Sequence, residues 1–373
     1  MKKFFLSLAV FVMALCANAQ TNQYFWYNGN LIMGNPIAQI DSVTFGEGEP
    51  ADTLHILLPR TIIKTVHDTV YVTIHDTVCP EGSWENGILP GVFSVSSDKQ
   101  VKFSQGNLQF NAMAGNHECA DGTTQQGIWR FADNQWDYVG DDTDGTVYYN
   151  NVKCNNELIS SSYNGWIDLF AEGTSGWSGG ASCYQPWATT FSSGCGCYTC
   201  GNYEGTYADW GKYNAIENGG NAPDMWRILN QSEWNYLLES RTNASQLKGL
   251  AIINNVKCLV LLPDNWETPT GITFTSSEDY SSNEYSAEQW HILERVGAVA
   301  LPAAGLRGVK NANQEDTKVW QYQYNDNGST GQYWVSTGRY ELIFYHNRID
   351  CGDYRWSHNG SAVRLIQDVN NVK

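Results

Sequence analysis

The residues best suited to recognition chemistry are concentrated near the C-terminus, between Ser336 and Asn359. Tyr, Trp and His side chains combine a flat ring with a polar atom, and Arg, Asn and Asp add hydrogen bonds and charge. Such a mixture is typical of a binding surface, although an ordinary hairpin with an exposed polar side is the alternative. The predicted ligand-binding residues are Tyr340, Tyr345, His346, Asn347, Arg348, Asp353, Tyr354, Arg355, Trp356 and His358.

Four other groups of residues could hold a metal ion or transfer protons, and each has a simpler explanation. The cysteine cluster provides half of a zinc site but no second pair at the usual spacing, so a disulfide or loop staple is favoured. The acidic and histidine groups lack EF-hand spacing and are typical of solvated side chains. No metal, no cofactor and no enzymatic activity are therefore predicted. The groups are Cys195–Cys197–Cys200, His67 with His75, Asp141–Asp142–Asp144, and Glu278–Asp279.

The composition favours a recognition protein and excludes a nucleic-acid partner. The formal net charge is −17, whereas phosphate binding needs clustered Lys and Arg. The chain has 15 Trp, 21 Tyr and 35 Gly among 373 residues. This combination predicts a loop-rich protein with most aromatic side chains in a core and a minority on a surface. The length allows one large domain or two modest ones.

The first 19 residues have the pattern of a signal peptide. Lys2 and Lys3 precede the apolar run 4–15, and the small residues 17–19 form an A-x-A cleavage signal. We expect export to the cell surface, the periplasm or the medium. A lipid anchor at Cys16 and a buried N-terminal helix are the alternatives. No later stretch reaches the roughly 20 apolar residues of a transmembrane span.

Nine cysteines follow Cys16. In an oxidising compartment some of them should pair, and the odd number leaves at least one thiol free, buried or intermolecular. Their connectivity does not follow from the sequence. They are Cys79, Cys119, Cys154, Cys183, Cys195, Cys197, Cys200, Cys258 and Cys351.

The exported chain divides into three predicted parts. Residues 20–46 form a small β unit with a hairpin turn at Asn28-Gly29-Asn30. Residues 47–86 form an extended linker or stalk, in which His-Asp-Thr-Val recurs after eight residues over a Thr/Val alternation. Residues 87–373 form the main domain. The linker would hold this domain away from an anchor.

The main domain is predicted to be α+β. Capping-box patterns at Asn230–Glu233 and Ser286–Gln289 each precede an apolar helical stripe, and Gly297 ends the second helix. Short strand patterns surround both helices, with long Gly- and Asn-rich loops between them. The predicted strands include Phe93–Ser96, Val101–Ser104, Leu108–Phe110, Trp129–Phe131, Trp136–Val139, Cys258–Leu262, Ala298–Leu301, Tyr333–Val335 and Ala362–Ile366.

Five segments in order resemble the Fibrobacter succinogenes major paralogous domain and, more widely, the C-type-lectin-like folds. They cover roughly residues 90–368: Trp226–Trp234, Leu259–Trp266, Leu301–Arg307, Gly331–Thr337 and Gly360–Leu365. The resemblance implies two helices and short twisted strands that support long loops, preceded here by the small β unit and the stalk. Residues 40–45 also resemble a common leader segment of exported Bacteroidetes proteins, which implies a Gram-negative cell envelope.

The resemblance implies an exported binding or adhesion protein that recognises an extracellular glycan or protein through its C-terminal loops. The segment 336–359 is also similar to the variable region of diversity-generating-retroelement target proteins. The alternative is a secreted enzyme such as a formylglycine-generating oxidase, whose fold is similar. Those oxidases use a pair of late cysteines, whereas only Cys351 lies late in this chain.

Overall fold

The structure is a computed structural model. It describes residues 84–139, 160–188, 201–307, 330–354, 357 and 359–369 with their side chains, and the backbone of further strands outside these ranges. The chain divides into two units, Met1–Pro80 and Glu81–Lys373. The second unit thus begins slightly before the predicted start at residue 87.

The N-terminal unit contains paired β-strands. The first two strands form an antiparallel hairpin in which Tyr27 pairs with Asn30, as the Asn-Gly-Asn pattern predicts. The third strand pairs with the fourth, where Thr44 lies opposite His55, beyond the predicted boundary at residue 46. The strands are β1 (Asn22–Tyr27), β2 (Asn30–Pro36), β3 (Ser42–Thr44), β4 (His55–Leu57), β5 (Thr61–Val66) and β6 (Thr69–Ile74).

The segment predicted as an extended linker pairs with itself. β5 and β6 are antiparallel, with Thr61 opposite Ile74 and Val66 opposite Thr69. This differs from one continuous extended strand, because the same Thr/Val alternation suits two strands that satisfy each other's backbone hydrogen bonds. A role as a stalk stays a prediction.

The C-terminal unit is an α+β fold in which strands predominate. Its strands are β7 (Phe93–Ser94), β8 (Gln100–Phe103), β9 (Leu108–Glu118), β10 (Thr124–Phe131), β11 (Val147–Tyr149), β12 (Val152–Cys154), β13 (Arg227–Ile228), β14 (Lys248–Ile253), β15 (Val256–Leu261), β16 (Glu284–Tyr285), β17 (Val299–Pro302), β18 (Leu306–Val309), β19 (Thr317–Trp320), β20 (Gly331–Trp334), β21 (Tyr340–Tyr345), β22 (Arg348–Tyr354) and β23 (Leu365–Asp368).

Its α-helices are short, and both predicted helices are present. They are α1 (Trp210–Tyr213), α2 (Gln231–Asn235), which continues as a π-helical turn (Tyr236–Ser240), and α3 (Ala287–Arg295). Single 3-10 turns occur at Glu85–Gly87, Ser182–Tyr184, Ala244–Gln246 and Tyr280–Ser282.

Both predicted capping boxes are confirmed. The Asn230 side chain accepts a hydrogen bond from the Glu233 backbone N–H at 2.8 Å, and a carboxylate oxygen of Glu233 accepts one from the Asn230 N–H at 3.0 Å. Ser286 and Gln289 make the same reciprocal pair at the start of α3. These contacts satisfy backbone donors that the first helical turn leaves without partners.

The strands of the C-terminal unit join distant parts of the sequence. One sheet has the order β13-β23-β8-β7, so β23 near the end of the chain pairs with β8 near the start of the unit. A second has the order β16-β14-β15-β17, and a third has the order β20-β21-β22. β9 is longer than predicted and pairs with β10. The predicted strand at Trp136–Val139 is wrong, since these residues lie in turns and irregular backbone.

Tryptophan side chains form much of the core, as the composition predicts. The largest fully buried side chains include six of them: Trp129, Trp210, Trp226, Trp234, Trp290 and Trp334. A tryptophan side chain is large enough to contact several short strands, including strands that make few hydrogen bonds with one another. Aromatic packing therefore supports the long loops of this unit.

A buried carboxylate connects α1 with β13. The Asp209 side chain is fully buried and accepts hydrogen bonds from the backbone N–H groups of Gly211 at 3.1 Å and Ile228 at 3.0 Å. Burial raises the pKa of Asp209 from 3.8 to about 6, although both hydrogen bonds act in the opposite direction. The charged form is therefore less favourable in the folded protein than in the unfolded chain.

This carboxylate predicts a specific pH dependence of stability. Because its folded pKa exceeds its unfolded value, the folded state binds the proton more tightly, and stability falls as pH rises from about 4 to 6. With about 1.4 kcal/mol per pKa unit, the effect amounts to about 2 to 3 kcal/mol. Urea unfolding at several pH values should show that the stability of the wild type relative to Asp209→Asn falls over this pH range. Parallel profiles of the two proteins would contradict the prediction.

Candidate functional site

The predicted binding residues lie on and beside the β21–β22 hairpin. Phe344 and Leu342 of β21 and Ile349 of β22 are buried in the core, which fixes the hairpin. Tyr345 pairs with Arg348, so His346 and Asn347 form a two-residue turn. Asn347 has a φ of 66°, a left-handed conformation that asparagine tolerates better than most residues.

Cross-strand pairing divides the predicted residues into two clusters. The register shifts between Glu341 and Leu342, so that Glu341 pairs with Asp353 and Leu342 pairs with Cys351. This irregularity leaves Gly352 unpaired in the register, as in a β-bulge. One cluster then surrounds Arg348, and the other contains the paired Tyr340 and Tyr354. A regular alternation of side chains along both strands would not produce this division into two clusters.

The first cluster is organised by the Arg348 guanidinium. Its Nη2 donates to Asp350 Oδ2 at 2.8 Å and to Asp353 Oδ1 at 2.5 Å, and its Nη1 donates to Tyr345 Oη at 3.3 Å. The hydrogen bonds to Asp350 and Tyr345, followed by that to Asp353, raise the pKa of Arg348 above its ordinary value. About a third of the Arg348 side chain stays exposed. The cluster therefore offers a charged donor and oxygen acceptors in fixed positions.

The second cluster combines Arg339 with two tyrosines. The Arg339 guanidinium lies 5.7 Å from the centroid of the Tyr354 ring, and its Nη1 donates to Tyr354 Oη. The Tyr340 and Tyr354 rings meet edge to face with centroids 6.0 Å apart. Tyr354 is 54% exposed, more than any other large apolar or aromatic side chain among the described residues. This cluster offers an aromatic surface beside a cation.

A buried glutamate holds Arg339 in place. Glu172, which is fully buried, accepts a hydrogen bond from the Arg339 backbone N–H at 2.6 Å. Arg339 has a φ of 65°, a conformation that is unusual for a residue with a side chain. The residues Arg339 and Glu172 are missing from the predicted site. Arg339 lies within the predicted segment 336–359 but is not among the ten predicted ligand-binding residues, and no sequence signal links it to a glutamate 167 positions earlier.

The hairpin turn contacts the acidic pair Glu278–Asp279. The Asn347 N–H donates to the Glu278 carbonyl at 2.9 Å, and His346 Nδ1 lies 3.9 Å from Asp279 Oδ1. Asp279 also accepts hydrogen bonds from the backbone and side chain of Ser281. Those hydrogen bonds are the main reason that the pKa of Asp279 is lowered. This carboxylate therefore caps a 3-10 turn and supports the hairpin.

Seven of the ten predicted residues lie in the described part of the chain. His346, Asn347 and Tyr354 are exposed, and Tyr340, Tyr345, Arg348 and Asp353 are half-buried. Arg355, Trp356 and His358 lie outside the described residues. The neighbouring Ser357 and Asn359 are buried. The described residues thus expose the hairpin turn and the end that carries Tyr354.

The other chemical candidates do not form a site in the described residues. Cys195, Cys197, Cys200 and the Asp141–Asp144 group, together with the side chains of His67 and His75, lie outside them. Within the described part, no group of three His, Cys, Asp or Glu side chains is placed to hold a metal ion. No described helix is long and apolar enough to cross a membrane.

Four cysteines are described with their side chains. Cys119, Cys258 and Cys351 are free and buried, and Cys183 is disulfide-bonded. Burial raises the pKa of the Cys351 thiol, so its reactive thiolate form is disfavoured. Cys351 is the cysteine near the C-terminus that an oxidase of this kind would need. It belongs to β22, and its side chain packs in the core.

A serine-hydrolase pattern, G-x-S-x-G, occurs at Gly176–Gly180, outside the predicted site residues. In hydrolases this pattern places a nucleophilic serine on a strand-to-helix turn beside a histidine base. Here no strand or α-helix flanks the loop. Among the described residues, His117 bonds to the Gly127 carbonyl and Asn214, and His291 bonds to Glu294, so neither ring is paired with Ser178 as a base would be. The loop has a hydrolase pattern without the hydrolase geometry.

Comparisons with known proteins give no assignment, since no family model, no curated protein and no solved structure matches the chain.

Proposed function

We propose that this chain is an exported, C-type-lectin-like binding or adhesion protein for an extracellular glycan or protein. Its recognition site is the hairpin surface, defined here as Arg339, Tyr340, Tyr345, Arg348, Asp353 and Tyr354. The observation that carries the proposal is the fixed arrangement of partly exposed arginine, tyrosine and aspartate groups on a hairpin whose inner side chains belong to the core.

The lectin-like assignment is supported by where the five resembling segments lie. Trp226 and Trp234 of the first segment, Trp334 of the fourth and Val363 of the fifth are all buried. In the fourth and fifth segments, Tyr333 forms a bridge with Ala362. The resembling segments therefore contribute many buried residues to the core. This is expected if members of a fold family share the residues that pack in its core.

The chemistry of the hairpin surface favours recognition. Fixed side chains lose little conformational entropy when a ligand binds, and tyrosine and arginine are common in the energetically important parts of interfaces. Arg348 and Asp353 present opposite charges, so a polar ligand can find both donors and acceptors. Diversification of this segment stays a prediction from its resemblance to retroelement target proteins.

Alanine substitution in the hairpin surface should weaken ligand binding without unfolding the protein. We expect Tyr354→Ala and Arg348→Ala each to reduce affinity about tenfold or more, since anchor residues of this type contribute at least 1.4 kcal/mol. The ion pairs of Arg348 are partly exposed, so the free energy of unfolding should change by less than about 1 kcal/mol. The measurement is binding of the labelled full chain to an array of glycans and an array of extracellular proteins.

The matched control is Ile292→Ala, which removes an exposed apolar side chain from α3, outside the hairpin surface. This variant should bind as the wild type does. Circular dichroism checks that each variant is folded. Equal binding by the wild type, Tyr354→Ala and Arg348→Ala would refute the proposed site. The proposal would also be refuted if the wild type bound nothing on both arrays.

A further inference from the structure

An exposed aromatic pair lies on the surface away from the hairpin. Among the described residues, Trp177 is 40% exposed and Tyr207 is 37% exposed. Their ring centroids are 6.2 Å apart and the planes are inclined by 78°. The buried Tyr213 ring lies 5.5 Å from Tyr207 and supports it from below. Isolated exposed aromatics are common, whereas a contacting and supported pair indicates a binding surface.

Hydrogen-bonding groups adjoin the pair. Tyr213 Oη donates to Asp121 Oδ2 at 3.0 Å, and Gln125 Nε2 donates to Tyr213 Oη at 3.1 Å. The Asp121 side chain is exposed, and Thr123 donates to its Oδ1. A carboxylate has about four acceptor positions, so Asp121 keeps capacity for a ligand. None of the hydrogen bonds described for these groups involves Lys or Arg.

The loop that carries Trp177 is held in an unusual conformation. Gly176, Ser178, Gly179 and Gly180 all have positive φ values, and Ser178 reaches 80°. A serine in this conformation is strained and persists only where the surroundings fix it. Here Gln125 Nε2 donates to the Gly176 carbonyl at 2.9 Å, and Ser175 Oγ donates to the Tyr207 carbonyl at 2.6 Å. The two rings are therefore presented by connected loops.

We propose that Trp177, Tyr207 and Asp121 form a second binding surface, which takes the pyranose rings of a neutral glycan. A pyranose has an apolar face of C–H groups that packs on an aromatic ring, and hydroxyl groups at its rim that donate to carboxylates. The carboxylate, the absence of a cationic partner in the described contacts, and the net charge of −17 disfavour an anionic glycan. The proposal does not depend on the function of the hairpin surface.

The arrangement suits a chain of sugars. Trp177, Tyr207 and Asp121 are all exposed, and the buried Tyr213 contacts both Tyr207 and Asp121. A glycan chain can place successive rings over such adjoining groups. Each stacked ring adds a similar contribution, so longer oligosaccharides are expected to bind more tightly than monosaccharides.

Affinity electrophoresis of the full chain tests this surface with three neutral polysaccharides, laminarin, mannan and xylan, and with the anionic polygalacturonate. We expect at least one neutral polysaccharide to retard the protein and polygalacturonate to have no effect. Trp177→Ala and Tyr207→Ala should each lower the affinity about tenfold, the loss expected for one aromatic contact. Trp177→Phe, which keeps a ring, should retain part of the affinity.

Two further proteins separate the outcomes. Ile292→Ala removes an exposed apolar side chain of α3, outside both surfaces, and should bind the polysaccharide as the wild type does. Tyr354→Ala tests the hairpin surface: if it loses binding while Trp177→Ala and Tyr207→Ala do not, the hairpin surface is the glycan site and the second surface is refuted. The second surface is also refuted if no neutral polysaccharide retards the wild type, or if both Trp177→Ala and Tyr207→Ala bind normally. Near-UV circular dichroism shows whether each variant is folded.

Discussion

Replacing Arg227 by alanine is expected to lower the free energy of unfolding by about 3 kcal/mol, the cost of removing the bidentate partner of the largely buried Glu233 carboxylate, which Lys99 still contacts at 3.1 Å. Arg227 Nη1 and Nη2 donate to both carboxylate oxygens of Glu233 at 2.8 and 2.9 Å. Its Nε donates to Asp368 at 3.0 Å. The guanidinium thus joins β13, α2 and β23 at one point, and only 12% of its side chain is exposed.

The same network predicts a change in acid sensitivity. Burial alone would raise the pKa of Glu233, but the hydrogen bonds and charge of Arg227 lower it below its ordinary value. The pKa of Asp368 is lowered in the same way. Both carboxylates therefore stabilise the fold above their unfolded pKa values, and this contribution is lost as pH falls through the lowered values. Without Arg227 this part of the acid sensitivity should decrease, and the Asn230 N–H and Lys99 should preserve the remainder at Glu233.

Urea unfolding of Arg227→Ala and Arg227→Lys at neutral and acidic pH measures both effects. Lysine keeps the charge but cannot make the bidentate contacts, so Arg227→Lys should recover only part of the loss. The control is Lys212→Ala, which removes an exposed ion pair with Asp224 and should cost less than about 1 kcal/mol. Equal stability of Arg227→Ala and Lys212→Ala would show that the network is not important.

Adding a methyl group where Gly91 and Gly297 meet should cost about 3 kcal/mol, from overpacking and backbone strain together. Gly297 ends α3 with a φ of 102°. Its N–H donates to the Glu294 carbonyl at 2.9 Å, and the Ala298 N–H donates to the Leu293 carbonyl at 3.0 Å. This pair of hydrogen bonds is a Schellman motif, which requires the left-handed conformation.

The two glycines also exclude side chains by contact. A Cβ at Gly297 would lie 2.6 Å from the Gly91 Cα, and a Cβ at Gly91 would lie 2.2 Å from the Gly297 carbonyl oxygen. Both contacts involve backbone, which cannot move aside as a flexible side chain can. Gly297→Ala therefore combines conformational strain with a collision, whereas Gly91→Ala produces the collision without a positive φ.

Thermal and urea unfolding of the two variants can separate these causes. The matched control is Gly122→Ala, because Gly122 has a φ of 79° and nothing lies within 4 Å of an added Cβ. This control should lose only about 1 kcal/mol, the cost of the left-handed conformation. If Gly297→Ala were no less stable than Gly122→Ala, the close approach of the two backbones would not matter.

Short-range features could be predicted from the sequence. The capping boxes at Asn230 and Ser286, the helix end at Gly297 and the hairpin at residues 28–29 depend on neighbouring residues and local backbone preferences. The burial of most tryptophans follows from their size and apolarity. The exposure of Tyr354 was predicted from the concentration of polar and aromatic residues between positions 336 and 359, and it is confirmed.

Long-range features could not be predicted in this way. The bulge that divides the hairpin residues into two clusters depends on pairing, because an irregularity in one strand is defined only by its partner. The contact of Arg339 with Glu172 joins residues 167 positions apart. Likewise, the Thr/Val repeat at residues 61–78 is compatible with one extended strand and with the observed pair β5 and β6.

The sequence by itself determined the α+β class, the starts of α2 and α3, the end of α3 and the C-terminal concentration of groups suited to recognition, because these depend on residue type and on spacing within a few turns of chain. Only the tertiary structure brought Trp177 to Tyr207, joined Arg227 to Asp368 and set Gly91 against Gly297. Such contacts result from the packing of the whole unit, where many segments compete for the same core. No local pattern encodes which distant residues will meet.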